Sequence, residues 1–392
     1  MNLDRHPANL YDADQDFLAA CEPQQLIYFL LNVGNADTQL LCLPEDEDGV
    51  RHLVVVDVGR VAGGKLPQLI EALKVPQPGL ARPLLSDESK VRLLVATHPH
   101  EDHVGGIPNF LDQSGSLLFG GGEIWDPAFF HKTGAWFEMM YWLEEHPEVN
   151  RLHPTAGARR HIGNVAVTAL SPSIRLRNNF DTYGVHVNNA SIALQVEFPI
   201  KRVFAPKIEE AAIGRQSRVP VTRSLLLGAD AQTMSWSHVD VDFPTRRTDH
   251  DPEYRLLGLA RGTEPLGAAI FKVPHHCSKN GLNLELVTRV NAPLSLISCD
   301  TGMASHAFPH QVALEQLREA RDAVAKSGNP HAPDWDLGIY TTGDAIEPNG
   351  DVLGSIAVQI KPTATAPIVW RLGDTRNAPI PPANLRSAWR RS

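Results

Sequence analysis

The sequence predicts an α/β (α+β) layered fold. Two observations predict it. Short β-branched apolar runs alternate with stretches of helical period along most of the chain. Candidate metal ligands stand directly after several of those runs, at positions far apart in sequence. Such positions meet only if the strands lie side by side in sheets, with their ends at one edge.

Taken in order, residues 1–24 read as an N-terminal extension. They are polar and Asp-bearing, without the cationic start and apolar core of a secretory signal. Leu26 to Val33, Thr38 to Leu43 and His52 to Val58 read as strands, with Glu45-Asp46-Glu47-Asp48 as a turn between two of them. Leu66, Leu69, Ile70 and Leu73 give the segment 66–74 helical spacing. A Pro-rich loop over 76–83 leads to the strand Val91 to Ala96. Thr133 to Glu145 reads as an amphipathic helix whose Trp136, Met139, Met140, Trp142 and Leu143 belong to a core. Further strands are expected at Val165 to Leu170, Ser191 to Phe198, Ser224 to Leu227, Ala268 to Val273 and Leu294 to Ser298. A helix over 312–325 and a strand over 353–360 close the domain. The domain is thus bounded at 25–362, with polar insertions near 201–223 and 237–265 and a C-terminal tail over 363–392.

The bulk properties narrow the class. A chain of 392 residues, 43% hydrophobic and 21% charged, is globular in composition. Its four cysteines show no CxxC spacing, which argues against a thiolate zinc site and suits a reducing cytoplasm. No apolar run is long enough for a bilayer span, so no membrane partner is expected. The net charge of −9 argues against tight nonspecific binding to a duplex, although 201–223 holds six Lys or Arg against two Glu.

Thr97-His98-Pro99-His100-Glu101-Asp102-His103 carries the chemistry. Four candidate ligands fall within six residues, after a buried strand and before Gly105-Gly106 and a helix start near Pro108. On extended backbone, residues two apart point the same way, so His98 and His100 can grip one cation. Asp102 and His103 then turn toward a second. Asp230 ends the run Leu225 to Ala229 and reads as either a helix N-cap or a carboxylate bridging two cations. His275 and His276 follow the strand ending at Val273; His275 is read as the ligand and His276 as the catalytic hydrogen-bond donor or acid, together with Asp102. Lys272, Asn188 and His306 are candidate substrate-binding residues, and Asp57 or Asp37 could orient the ligating imidazoles.

The motif set resembles the metallo-β-lactamase superfamily, and more narrowly the soluble hydrolase domain of competence DNA-uptake (ComEC-type) proteins. Leu31-Asn32-Val33-Gly34-Asn35-Ala36-Asp37 is similar to that family's LDVGQGD opening, and Val54 to Gly59 to its second strand. Ala169-Leu170-Ser171-Pro172, Asn188-Asn189-Ala190-Ser191 and Lys272-Val273-Pro274-His275-His276-Cys277-Ser278 resemble its later motifs. Ile339 to Thr342 with Gly354 to Ile356 resembles its closing hairpin. The departures are Gly228 and Ala229 before Asp230, Cys277 where Gly is usual, and Phe308-Pro309 where His-Pro is common. Other branches place a third His on the first metal before the strand at Ser191; here the local candidates are His186, Asn188 and Asn189.

The resemblance implies a four-layer αβ/βα sandwich and two divalent cations, zinc first and manganese as the alternative. It implies hydrolysis by a metal-bridged hydroxide, most simply of a phosphodiester, nucleic acid included. Carbonyl hydrolysis, such as a lactonase or thioesterase, is a second class, and a mononuclear iron thiol oxygenase a third. A non-enzymatic sensor or interaction protein retaining the fold is a fourth, against which the intact ligand set argues.

Overall fold

The computed structural model describes residues 11–76, 82–129, 131–180, 186–200, 223–245, 264–300, 307–326, 338–343, 345–346, 351–362 and 366–391. Among them, a ten-stranded sheet faces a seven-stranded sheet. The first runs Tyr11–Gln15, Ala388–Arg391, Ile368–Arg371, Ile356–Ile360, Leu26–Leu30, Thr38–Cys42, Leu53–Val58, Val91–Val95, Glu123–Trp125, Asn150–Leu152. The second runs Gly338–Thr341, Leu294–Ile297, Ile270–Lys272, Arg223–Leu227, Leu194–Phe198, Val165–Ala169, Arg159–Ile162.

Period-two alternation explains the layering. In Leu53–Val58, Val54 and Val56 point into the core between the sheets, while Leu53 and Val55 face the helices outside. Leu225 and Leu227 face inward in the other sheet, and Leu226 faces outward. The first sheet's outer face is covered by helices Ala62–Lys74, Ile107–Ser114 and Gly134–Glu145. Thr233–Asp242, Leu284–Val290 and Gln311–Lys326 cover the second. The expected helix–sheet–sheet–helix sandwich is therefore the observed fold.

Several finer expectations are corrected. Residues 11–15 and 368–391 supply strands to the first sheet, so the boundaries at 24/25 and 362/363 do not mark its edge. A buried cluster fastens the C-terminal part: Lys65 Nζ donates to Asp374 Oδ2 and to the Asn32 carbonyl, and Ser355 donates to Asp374. The segments read as one closing hairpin belong to different sheets: Gly338–Thr341 pairs with Leu294–Ile297, and Ile356–Ile360 with Leu26–Leu30. Of the two insertions, 201–222 and 246–263 lie outside the described residues, whereas 237–242 continues a helix that packs Ser235, Trp236 and Val239 inward. No helix among the described residues is long and apolar enough to cross a membrane.

The strands Leu53–Val58, Val91–Val95 and Glu123–Trp125 run parallel, as do Arg223–Leu227, Ile270–Lys272 and Leu294–Ile297. Their carboxyl ends carry Asp57, Thr97-His98, Asp230, His275-His276 and Ser298. Ligand sites in open α/β sheets form outside such ends.

Candidate metal centre

Close backbone packing sets the ligand-bearing turn. A Cβ added to Gly106 would lie 2.4 Å from the Gly59 carbonyl, and one on Gly59 would lie 2.8 Å from the Asp102 carbonyl. Glycine is therefore needed for the turn after Leu53–Val58 to meet the turn after Val91–Val95. His100, with extended backbone, precedes the short helix Glu101–Val104, so the chain leaves a strand and winds at once.

His98, His103, Asp230 and His276 are buried, while the Asp102 side chain is 36% exposed and that of His275 18%. His98 Nε2 lies 3.1 Å from His100 Nδ1. Asp230 sits between the imidazoles: its Oδ1 is 3.2 Å from His103 Nε2, and its Oδ2 is 3.9 Å from His98 Nε2 and 3.6 Å from His275 Nε2. Asp102 Oδ2 is 3.8 Å from His103 Nε2 and 3.4 Å from His276 Nε2. Of the two roles open to Asp230, the helix cap falls away, because Gln232 holds the cap position of Thr233–Asp242.

Outer groups fix the rings. Asp57 Oδ2 lies 2.7 Å from His103 Nδ1, and Asp57 itself accepts from the Thr97 amide and hydroxyl, each at 2.8 Å. His276 Nδ1 lies 2.7 Å from the Ser298 carbonyl oxygen. Both arrangements leave the opposite ring nitrogen, Nε2, aimed into the site. His275, His276 and Cys277 all have left-handed backbone, with φ of 50°, 52° and 63°. That turn swings two adjacent imidazoles toward the site, and three such non-Gly residues in a row are strained.

The donor set fits a divalent cation. Ligand atoms of Asp102, His103, Asp230 and His276 all lie within 4.8 Å of one another. His103 Nε2 and Asp230 Oδ1 are buried without a hydrogen-bond partner. Burial alone would lower the basicity of His103, but the carboxylates of Asp230, Asp57 and Asp102 outweigh it and hold the ring well above the usual imidazole range. Burial would likewise raise Asp230, yet His103 pulls it well below the usual carboxylate range. His98 is held well below the imidazole range by burial and by His103.

The structure brings His98, His100, Asp102, His103, Asp230, His275 and His276 together. It puts His276, and not His275, in the tight four-residue cluster. His275 instead faces Asp230 Oδ2, with Asn188 Nδ2 at 3.4 Å and Gln232 Nε2 at 3.3 Å from its ring nitrogens. The substrate-binding reading of Lys272 is overturned: the side chain is fully buried and paired with Asp37 between the sheets. His306 lies outside the described residues. One neighbour escaped the sequence reading: His131 stands with its ring 5.6 Å from that of His100. Phe308, read from the sequence only as a departure at a His-Pro position, has its ring 5.7 Å from His275 and 5.5 Å from His276. A lone His in a loop carries no spacing signal; only tertiary placement reveals it.

Residues 48–203, which include the whole His-rich turn, match the family model of the metallo-β-lactamase superfamily. No curated protein matches the sequence. Among solved structures, the chain is similar to the metallo-β-lactamase fold protein YhfI from Bacillus subtilis, with 12% identity and TM-score 0.36 over 76% of this chain and 93% of that one. It is similar to a diphosphatase from the PhnP family, with 11% identity and TM-score 0.38 over 86% and 98%. It is also similar to yeast PDE1, with 11% identity and TM-score 0.38 over 81% and 97%. The family match, over residues 48–203, thus lies on the strands and turn that build the first half of the site.

Proposed function

We propose that the chain is a metal-dependent hydrolase that holds two divalent cations and cleaves phosphodiesters. The observation that carries the reading is the placement of Asp230, whose two oxygens face different sets of imidazoles. A shared carboxylate of this kind offsets the repulsion of two neighbouring cations. His98, His100 and Asp230 would hold the first, with His275 as the nearest further imidazole. Asp102, His103, Asp230 and His276 would hold the second.

When bound, such a pair supplies an acidified water as nucleophile and positive charge beside the attacked phosphoryl group. The chain's own residues do the rest. Asp57 and the Ser298 carbonyl lock His103 and His276 in orientation. The partly exposed Asp102 and His275 mark the open side from which a substrate enters. Phe308 and Asn188 flank that side. Hydrolysis of a phosphodiester is favoured over a lactam or thioester by the likeness of the motifs to the competence-type hydrolase domain. Nucleic acid and small phosphodiesters both fall within that class.

A substrate panel tests the reading. Zinc- or manganese-loaded protein is expected to turn over bis(p-nitrophenyl) phosphate and at least one of single-stranded DNA, duplex DNA, RNA or a cyclic nucleotide. Robust lactone or thioester cleavage with no phosphodiester turnover would contradict it.

A further inference from the structure

We infer that Asp37 and Lys272 form a cross-sheet strut that sets the separation of the two halves of the second cation's ligand set. The inference rests on the two-cation reading above. Asp37 stands in the loop before the strand Thr38–Cys42 of the first sheet, and Lys272 ends the strand Ile270–Lys272 of the second. Both side chains are fully buried, and Lys272 Nζ donates to Asp37 Oδ2.

Each end of this pair is fastened to a ligand-bearing segment. The Asp37 amide donates to the Asp102 carbonyl at 3.0 Å, and the Gly59 amide donates to the Asp37 carbonyl at 3.0 Å. The main chain of Asp37 therefore clamps the turn that carries Asp102 and His103. Lys272 lies four residues before His276 on the same run of chain. The neighbouring Ala36 carbonyl accepts from the Ser298 hydroxyl, and the Ser298 carbonyl lies beside His276 Nδ1. One two-residue segment, Ala36-Asp37, thus touches the Asp102 turn, the strand leading to His276 and the group orienting its ring. The distance it governs is the one across the sheets, 3.4 Å from Asp102 Oδ2 to His276 Nε2.

A buried ion pair is poor value as a source of stability alone, because desolvation consumes much of its attraction. Its worth here is positional. Asp37 Oδ1 is buried without a hydrogen-bond partner and lies 3.9 Å from His276 Nδ1, so the carboxylate also borders the ring it positions. Neither residue faces the reacting groups; both act through Asp102 and His276.

The test replaces both charges together, so that neither is left buried alone. Full-length wild type and the Asp37→Leu/Lys272→Met protein are titrated with Co2+, following heat and the visible absorption of the bound ion. The expected result is two ions in the wild type. In the variant one ion binds as before, and the affinity for the other falls about tenfold or more. If the apolar pair does not fold, Asp37→Asn/Lys272→Gln takes its place. Its neutral hydrogen bond is roughly half as strong as the charged one, and the second affinity is expected to fall about threefold or more. Two ions held with unchanged affinities in the folded variant would overturn the strut and leave the two-cation reading standing. A wild type that binds fewer than two ions overturns both.

Discussion

Asp57 Oδ2 lies 2.7 Å from Nδ1 of His103, and Nε2 of the same ring faces Asp230 Oδ1 at 3.2 Å. A buried carboxylate, an imidazole and a second carboxylate thus form a line across the gap between the sheets. The first member sets the ring and the last shares the site.

Replacing Asp57 tests that line. Its backbone is left-handed at φ 58°, which Asn tolerates. Asp57→Asn is therefore expected to fold, while losing the anion that orients His103. Metal affinity should fall about 10- to 100-fold, measured by competition with a chromogenic chelator. Unchanged affinity would show that His103 needs no carboxylate behind it.

In the proposed two-cation site, Asp230→Ala removes the shared carboxylate and Asp102→Ala one side of the second position. Each is expected to lower phosphodiester turnover by about 10³-fold or more, equivalent to roughly 4 kcal/mol of transition-state stabilisation. The Asp230 variant should also lose affinity at both positions, whereas Asp102→Ala should weaken one. Elemental analysis alongside steady-state rates separates these outcomes.

The two proposed cation positions are built unequally. His103 Nδ1 meets a carboxylate and His276 Nδ1 a main-chain carbonyl oxygen, but His98 Nδ1 meets the Thr97 hydroxyl at 3.3 Å. The cation held by His98 and His100 is therefore expected to leave first. Stepwise chelation should pass through a one-metal form whose remaining ion is lost in His103→Ala. Simultaneous loss of both ions would contradict the asymmetry.

How much of this was legible in the sequence follows from local against tertiary causes. The turn from His98 to His103 was readable because strand, ligand spacing and following glycines all lie within a few residues. The buried central strands were readable by their unbroken apolar runs. The strands Ile368–Arg371 and Ala388–Arg391 were not, since four-residue segments ending in arginine are too short to show an alternation. Lys272 misled for a related reason: a lysine beside a ligand pair resembles an anion binder. Its partner Asp37 is 235 positions away in the chain. The order of His275 and His276 was likewise undecidable, because three left-handed residues reverse the direction in which adjacent side chains would otherwise point.

A pH dependence is expected away from the site. Asp126, at the end of Glu123–Trp125, is buried, which alone would raise its pKa. Hydrogen bonds with His153 and Arg151 outweigh that and hold it below the usual carboxylate value. A carboxyl lowered on folding stabilises the protein above its unfolded pKa of about 3.9 and loses that contribution as pH falls through the folded value. Denaturant unfolding of wild type and Asp126→Asn between about pH 3 and 7 should show a gap of about 1–3 kcal/mol at neutral pH. The gap should shrink toward the acid end; one that stays constant would exclude Asp126 as its source.

The central claim is that one carboxylate, Asp230, is shared by two cations. Anomalous diffraction at the zinc edge from zinc-loaded crystals tests it most directly. The expected map has two peaks about 3.5–4 Å apart, one beside His98 and His100 and one among Asp102, His103 and His276, with Asp230 between them. A single peak, or a second one that does not touch Asp230, would contradict it.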